Sequence, residues 1–228
     1  MVTIIGGGLA GTEAAYQIAK RGIPVKLYEM KPVKFSPAHH STDLAEIVCS
    51  NSFKSNLHTN ACGLLKEELR YLDSLLIKIA DETAVPAGQA LAVDREKFSQ
   101  KVTRTIQAMP NVEIIHEEMQ EIPKEGIVVI ATGPLTSEKL SEQIAKITGE
   151  EDLHFYDAAA PIVEKESIDF SIAFWGERYE QERKKEEEIE QWSTRIQNQT
   201  QDYINLPMTK EEYEVFWKAL VEAEIVEL

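Results

Sequence analysis

A run of glycines near the start of the chain constrains its fold more than any other feature. Val2–Ile5 is a short apolar run that breaks into Gly6-Gly7-Gly8-Leu9-Ala10-Gly11, and Thr12–Arg21 then has the spacing of a helix. A second apolar run, Ile23–Tyr28, closes on Glu29. Strand, glycine turn, helix, strand and terminal acid, in this order, predict a βαβ unit of a Rossmann-like parallel sheet.

Each glycine of this turn is expected to serve a dinucleotide in its own way. Gly6 permits the tight turn, Gly8 lets the backbone approach a pyrophosphate, and Gly11 lets the helix pack closely on the strand. The helix N-terminus offers free N–H groups and the positive end of its dipole to phosphates. Glu29 follows Gly11 by 18 residues (29 − 11), where a carboxylate accepts bonds from both ribose hydroxyls and repels a 2′-phosphate. The alternative, a turn that merely joins a strand to a helix, leaves this acid unexplained.

Charge and composition restrict the partners of the chain. The 228 residues carry a formal net charge of −15, so the surface as a whole repels the phosphate backbone of nucleic acids. A hydrophobic content of 43% is that of a soluble globular protein. No apolar run approaches the length of a membrane span, and the chain starts with a strand, not with a targeting signal. We therefore expect a cytoplasmic protein with no membrane partner and no metal; the sequence predicts no oligomeric state.

The middle of the chain predicts alternating helices and strands. Lys31–His40, with two prolines and two histidines, is expected to be a loop, and a stretch of small polar residues surrounds Cys49. The apolar spacing further on predicts one helix from Leu64 to about Asp81. Further predicted elements are a strand at Ala90–Asp94, a helix at Arg95–Met109, strands at Val112–His116 and Ile127–Ile130, and a helix at Thr136–Thr148.

The strand that ends in Ala131-Thr132-Gly133 complements the glycine turn. Ligands of open parallel sheets bind at the carboxyl edge, so this strand exit places Thr132 beside a bound dinucleotide. The tripeptide alone is a common strand exit. Paired with the N-terminal βαβ unit, it predicts a three-layer, Rossmann-like FAD-binding domain.

The pattern of apolar and charged residues changes from Phe155 onward. Asp157–Val163 is strand-like, Glu180–Glu190 is a charge run that predicts a solvated helix face, and Thr209–Glu224 predicts a helix with a capping box formed by Thr209 and Glu212. We predict an FAD-binding domain over residues 1–153 and the start of an inserted α/β domain over residues 154–228. The chain is expected to be the front part of a larger protein, because no closing strand precedes Leu228.

Several stretches together carry a specific resemblance to one family. Combinations such as I-V-C-S-N-S, L-A-V-D-R and A-T-G-P-L-T are far more specific than the glycine turn. The chain resembles the folate- and FAD-dependent tRNA uracil-5-methyltransferases, which are relatives of the glucose-inhibited-division proteins. The matching stretches are Ile4–Gly11, Glu29–Pro32, Ala45–Ser52, Asn60–Arg70, Val85–Arg95, Ile130–Thr136, Phe155–Val163 and Tyr203–Tyr213.

The resemblance implies both cofactors and a catalytic thiol. In that family 5,10-methylenetetrahydrofolate supplies the carbon, NAD(P)H reduces FAD, and the target is a uracil in the T-loop of tRNA. Uracil C5 becomes nucleophilic only after a nucleophile adds to C6, and a thiolate suits that addition. Cys49 matches a cysteine that the family places near the flavin; a small packed residue is the alternative reading. The expected cofactor contacts are Gly6, Gly8, Gly11, Glu29, Lys31 and Thr132.

The chain also departs from the pattern of this family. Leu206 stands where the family has a second functional cysteine, and leucine can neither add to a pyrimidine nor transfer a proton. Gln89 replaces an expected glycine, and Cys62 is interpreted as a core residue. Three hypotheses follow: an RNA uracil methyltransferase acting on tRNA or on ribosomal RNA, a non-catalytic flavin-binding fragment, and an FAD-dependent oxidoreductase of small molecules.

Overall fold

A computed structural model describes residues 1–149, 163–176, 188, 191 and 202–224. The chain divides into two compact units, one of residues 1–85 and 89–160 and the other of residues 86–88 and 161–228. The predicted strand at Asp157–Val163, except Val163, and the predicted helix at Glu180–Glu190, except Glu188, lie outside the described residues. Within the described part, the elements in chain order are β1 (Val2–Ile5), α1 (Leu9–Lys20), β2 (Val25–Glu29), β3 (Ser52–Ser55), α2 (Ala61–Tyr71), α3 (Leu75–Glu82), β4 (Ala84–Val85), β5 (Ala90–Val93), α4 (Arg95–Gln107), β6 (Val112–His116), β7 (Ile127–Ile130), α5 (Glu138–Thr148), β8 (Phe174–Gly176), β9 (Tyr203–Asn205) and α6 (Lys210–Val221).

A parallel sheet forms the centre of the first unit. Its strand order is β6-β2-β1-β7, and each strand runs parallel to its neighbour. Ile4 and Leu27 of the two central strands are fully buried, as expected for a sheet covered on both faces. Three strands have the same bounds in the structure as in the sequence-based prediction: Val2–Ile5, Val112–His116 and Ile127–Ile130. The parallel α/β architecture predicted from the sequence is confirmed, and the carboxyl ends of β1, β2 and β7 meet at one edge.

A small antiparallel sheet, β3-β5-β4, lies beside the parallel one within the first unit. Strand β3 falls in the polar stretch after Cys49, for which the sequence predicts no strand. Its pairing with β5 is irregular between Ser52 and Ser55, and Lys54 has a left-handed φ of 66°. A bulged, half-exposed strand of small polar residues lacks the apolar alternation by which strands are recognised.

The single helix expected from Leu64 to about Asp81 is wrong: the structure has two helices, α2 and α3. Helix α2 ends at Tyr71 in a Schellman motif, in which Ser74 N–H donates to Leu69 O (3.0 Å) and Asp73 N–H donates to Arg70 O (3.0 Å). Asp73 adopts the left-handed φ of 57° that this motif requires. Leu65 and Leu72, two of the apolar residues whose spacing predicted the single helix, are exposed.

The helices of the first unit enclose the core on the parallel sheet. Helix α1 begins at Leu9, three residues before the expected start, because extended Gly8 already occupies the N-cap position. Helix α4 contributes fully buried Phe98, Val102 and Ile106, and the Phe98 ring contacts Phe53 with centroids 5.5 Å apart. These helices therefore fix the position of the sheet edge.

The second unit holds the two-stranded antiparallel sheet β8-β9 and helix α6. Residues 86–88 belong to this unit: Gly88 N–H donates to Asp202 Oδ2 (2.6 Å), and the Tyr203 hydroxyl donates to Ala87 O (2.8 Å). The capping box predicted at the start of α6 is confirmed, because Thr209 and Glu212 exchange both hydrogen bonds. In the described part of the chain, no helix is both long and apolar enough to cross a bilayer.

Candidate cofactor site

A cleft opens at the carboxyl edge of the parallel sheet, within the first unit. Its walls come from the ends of β1, β2, β6 and β7, from the segment after β2 and from the start of α5. The lining residues are Ile5, Gly6, Gly7, Gly8, Tyr28, Glu29, Met30, Lys31, His39, Ala45, Glu46, Glu117, Glu118, Met119, Ala131, Thr132, Leu135, Thr136, Ser137 and Leu140. The cleft thus contains five of the seven residues that the sequence proposes for the site: Gly6, Gly8, Glu29, Lys31 and Thr132.

Neighbouring backbone atoms leave no room for a side chain at Gly6 or Gly11. Gly6 has a φ of +104°, and a Cβ there would lie 2.6 Å from Ala131 O. A Cβ on Gly11 would lie 1.8 Å from Gly6 O, so the first turn of α1 rests directly on the glycine turn. Gly11 does not line the cleft; it sets the distance between the helix and the turn that does.

Gly8 faces open space and leaves the end of α1 accessible. A Cβ on Gly8 would meet no atom within 4 Å. The first helical hydrogen bond runs from Thr12 N–H to Gly8 O (3.0 Å), so the N–H groups of Gly8 to Gly11 precede the helical ladder. N–H groups of this kind, at the positive end of a helix dipole, bind phosphate groups.

The carboxylate of Glu29 is buried and held from two sides. Its Oε2 accepts the N–H of Gly7 at 3.0 Å, and its Oε1 accepts the N–H of Lys31 at 2.9 Å. Only 7% of the residue is exposed, on the side of the cleft. Two fixed donors leave lone pairs on both oxygens, which is the arrangement that two vicinal hydroxyls can bind.

Lys31 and Glu46 close the segment that follows β2 into a loop. Lys31 is 4% exposed, and its Nζ donates to Asp43 O (2.6 Å) and to Glu46 Oε2 (3.3 Å). Glu46 Oε1 also accepts the backbone N–H groups of His40 (2.9 Å) and Ser41 (3.0 Å). The ammonium of Lys31 therefore binds groups of the protein itself. Lys31 contributes its main chain and its alkyl side-chain atoms to the cleft.

Two ionisable groups of this loop have shifted pKa values. Burial alone would raise the pKa of Glu46, but the N–H groups of His40 and Ser41 and the Lys31 ammonium outweigh burial, and the pKa is lowered. Burial lowers the pKa of His39, and the Lys31 charge lowers it further. Near neutral pH the loop thus holds an ionised carboxylate and a neutral imidazole.

Thr132 lies in the cleft, two residues after the end of β7. Its Oγ1 is 2.6 Å from Thr136 Oγ1, and Thr136 Oγ1 donates to Gly133 O at 2.9 Å. Ala131 N–H donates to Ile5 O (2.8 Å), which joins this strand exit to the glycine turn. Both threonines line the same cleft as Gly6, Gly7 and Gly8.

Cys49 is exposed and lies outside the cleft lining. Arg95, the first residue of α4, donates a guanidinium N–H to Cys49 O at 2.7 Å and so binds the main chain of Cys49. Two residues later, Asn51 Nδ2 donates to Val93 O (3.0 Å). Cys62, interpreted as a core residue, is half-buried in the first turn of α2.

Several lining residues carry no recognisable signal in the sequence. His39, Ala45 and Glu46 come from a segment without periodicity, and Ala45 reaches the cleft through a left-handed φ of 51° and a bond from its N–H to Gly7 O (2.8 Å). Glu117–Met119 follow β6 and enter the cleft because β6 pairs with β2. Only the pairing of distant strands reveals these positions. Among the described residues no group of three or more His, Cys, Asp and Glu side chains is arranged to hold a metal ion.

The cleft combines accessible N–H groups at a helix start, a glycine next to open space, and a buried acid at the end of β2. This combination fits the adenosine diphosphate half of a dinucleotide. Fold and site define a Rossmann-like α/β protein of the dinucleotide-binding class. The chain belongs to the family of glucose inhibited division protein A, whose model matches residues 1–226.

Curated relatives extend this match. The methylenetetrahydrofolate–tRNA-(uracil-5-)-methyltransferase TrmFO of Acetivibrio thermocellus is 57% identical over 227 residues, which are 100% of this chain and 48% of that protein. TrmFO of Lactobacillus gasseri is 56% identical over the same shares of both chains. The chain spans about half the length of the curated relatives it matches.

Proposed function

We propose that this chain is the FAD-binding part of a methylenetetrahydrofolate-dependent tRNA uracil-5-methyltransferase. The observation that carries the proposal is the 57% identity over the whole chain to a protein of that name. The cleft supports it, because Glu29 and the start of α1 suit the adenosine and pyrophosphate of FAD. The proposal includes NAD(P)H as reductant, a cytoplasmic location and no metal.

In this function the cleft binds and orients the cofactor. The N–H groups from Gly8 to Gly11 would hold the pyrophosphate, Gly6 would keep the turn tight, and Glu29 would accept the ribose hydroxyls. Lys31 would position Glu29 through its N–H, and Thr132 would flank the ligand from β7. FAD, when bound, supplies the electrons for reduction of the transferred one-carbon unit.

The thiol of Cys49 would carry the covalent step on the RNA. As a thiolate it would add to C6 of the target uracil, which would make C5 nucleophilic toward the methylene carbon of the folate. Loss of the C5 proton and departure of tetrahydrofolate would leave a methylene group on C5, and its reduction by two electrons and one proton would give the methyl group as the thiolate leaves C6. Arg95 would hold the main chain of Cys49 in place during this step. The exposure of Cys49 suits a macromolecular substrate.

The experiment that tests the function compares two cysteine variants. Cys49→Ala is expected to abolish formation of 5-methyluridine, while Cys62→Ala retains it and both variants bind FAD like the original chain. The reaction contains methylenetetrahydrofolate, NAD(P)H and FAD, with tRNA and ribosomal RNA offered separately, and the product is detected by mass spectrometry of nucleosides. Methylation by the Cys49→Ala variant would overturn the assigned role.

A second candidate function is a flavin-binding module without catalysis. The observation in its favour is Leu206, which is exposed after β9 and offers no thiol. Visible absorption after gel filtration gives the first distinction. Flavin that stays with the 228-residue chain, without methylation of either RNA, would favour the module; a folded chain that takes up no flavin would contradict both functions for this chain on its own.

A further inference from the structure

The cleft is poor in positive charge for a site that receives a diphosphate. Four carboxylates line it, and the cationic side chains among its lining residues are Lys31 and His39. Lys31 is already bonded to a carbonyl oxygen and to a carboxylate. The carboxylates are Glu29, Glu46, Glu117 and Glu118.

His39 is the lining residue whose side chain could supply this charge. Its ring is half-buried in the cleft wall, and its Nδ1 lies 2.6 Å from Ser36 Oγ. The Ser36 hydroxyl fixes the ring and occupies one nitrogen. Among the described residues no protein group hydrogen-bonds to Nε2, so this nitrogen remains for a ligand.

Burial is the main reason why the pKa of His39 is lowered in the free protein. Burial and the ammonium of Lys31 lower the pKa of His39, and His40 acts in the same direction, whereas Glu46 and Glu29 raise it. Glu117 and Glu118 line the same cleft. A bound diphosphate adds two negative charges to this balance, and a nearby negative charge favours the protonated imidazole.

We propose that His39 is a proton-linked contact for the diphosphate of the bound dinucleotide: it takes up one proton on binding and donates Nε2–H to a phosphate oxygen. The inference deepens the proposed function and rests on it for the dinucleotide. The proton comes from solvent, and no covalent bond forms or breaks in the ligand. A charge-assisted hydrogen bond of this kind is stronger than a neutral one.

Proton uptake on binding makes affinity depend on pH. The ligand favours the protonated ring, so the pKa of His39 is higher in the complex than in the free protein. The affinity for the ligand therefore rises as the pH falls from the higher to the lower of these two pKa values. A shift of one pKa unit corresponds to a tenfold change in affinity. We expect the dissociation constant to fall roughly tenfold from pH 8 to pH 6.

The experiment measures binding of ADP-ribose to the 228-residue chain by titration calorimetry at pH 6, 7 and 8. ADP-ribose is chosen because its diphosphate does not titrate in this range and because it needs no flavin pocket. At pH 7 the titration is repeated in two buffers of different ionisation enthalpy, which reports the number of protons taken up. The variants are His39→Asn, which keeps a polar atom near Ser36, and the matched control His40→Gln at the exposed neighbour.

The expected result is net proton uptake by the original chain and by His40→Gln, with a flat pH profile and no uptake in His39→Asn. Equal profiles in all three proteins would overturn the role of His39 and leave the dinucleotide site standing. Absence of ADP-ribose binding at every pH would overturn the site together with the inference. If His39→Asn does not fold, the buffer comparison on the original chain decides, because binding without proton uptake contradicts the proposal.

Discussion

The Oε2 atom of Glu29 accepts the N–H of Gly7 at 3.0 Å across 22 residues of sequence. This bond ties the glycine turn after β1 to the acid that ends β2. Lys31 N–H holds the other oxygen at 2.9 Å. The carboxylate is therefore fixed before a ligand arrives, which reduces the ordering cost of binding.

Replacement of Glu29 by glutamine is expected to weaken dinucleotide binding and to lower stability. An amide offers one acceptor oxygen to two backbone donors, so one buried N–H loses its partner, at a cost of about 1–3 kcal/mol. Calorimetry with ADP-ribose and urea unfolding measure the two effects. Glu113→Gln, on the exposed side of β6, is the control and should change stability by less than about 0.5 kcal/mol. Unchanged affinity in Glu29→Gln would show that this acid does not contact the ligand.

Two alanine substitutions in the glycine turn are expected to separate an effect on stability from an effect on ligand binding. A Cβ on Gly11 would clash with Gly6 O at 1.8 Å, so Gly11→Ala is expected to destabilise the fold by about 3 kcal/mol. A Cβ on Gly8 meets no protein atom, so Gly8→Ala should unfold at nearly the same urea concentration but bind ADP-ribose more weakly. The prediction is wrong if the two variants lose stability equally.

The sequence predicted the elements whose signals are local. Short runs rich in apolar residues predicted the bounds of β1, β6 and β7, and the Thr209 capping box marked the start of α6. The same local view missed the break at Asp73, because a left-handed aspartate carries no apolar signal. It also missed His39 and Glu46, because these residues reach the cleft only through bonds to other parts of their loop.

Glu13 of α1 is expected to stabilise the start of α3. Its carboxylate accepts the Ser74 hydroxyl (2.9 Å) and the N–H groups of Leu75 (3.2 Å) and Leu76 (3.0 Å). Loss of a cap costs about 1 kcal/mol, and up to about 2 kcal/mol. Urea unfolding of Glu13→Ala should show a loss of this size, whereas Glu96→Ala, on the exposed face of α4, serves as the control. Equal stability of both variants would contradict the capping role.

The ion pair of Lys31 with Glu46 predicts a pH-dependent difference in stability. The folded-state pKa of Glu46 lies below its ordinary value of 4.5, so its contribution is present above pH 4.5 and is lost as pH falls through the lowered value. Glu46→Gln should therefore be less stable than the original chain at pH 7, and the difference should shrink toward pH 3. Urea unfolding at both pH values checks this. A difference that is constant with pH would exclude ionisation as its cause.

Leu206 offers a direct test of the missing second thiol. Relatives of this chain carry the name of a methyltransferase, and the resemblance implies a cysteine at this exposed position after β9. If that thiol takes part in proton transfer, Leu206→Cys should raise 5-methyluridine formation on the order of a hundredfold. Met208→Cys places a thiol two residues away at a similarly exposed site and should have no effect. Equal rates for the original chain and both variants would mean that the chain uses a different group, or none, for this step.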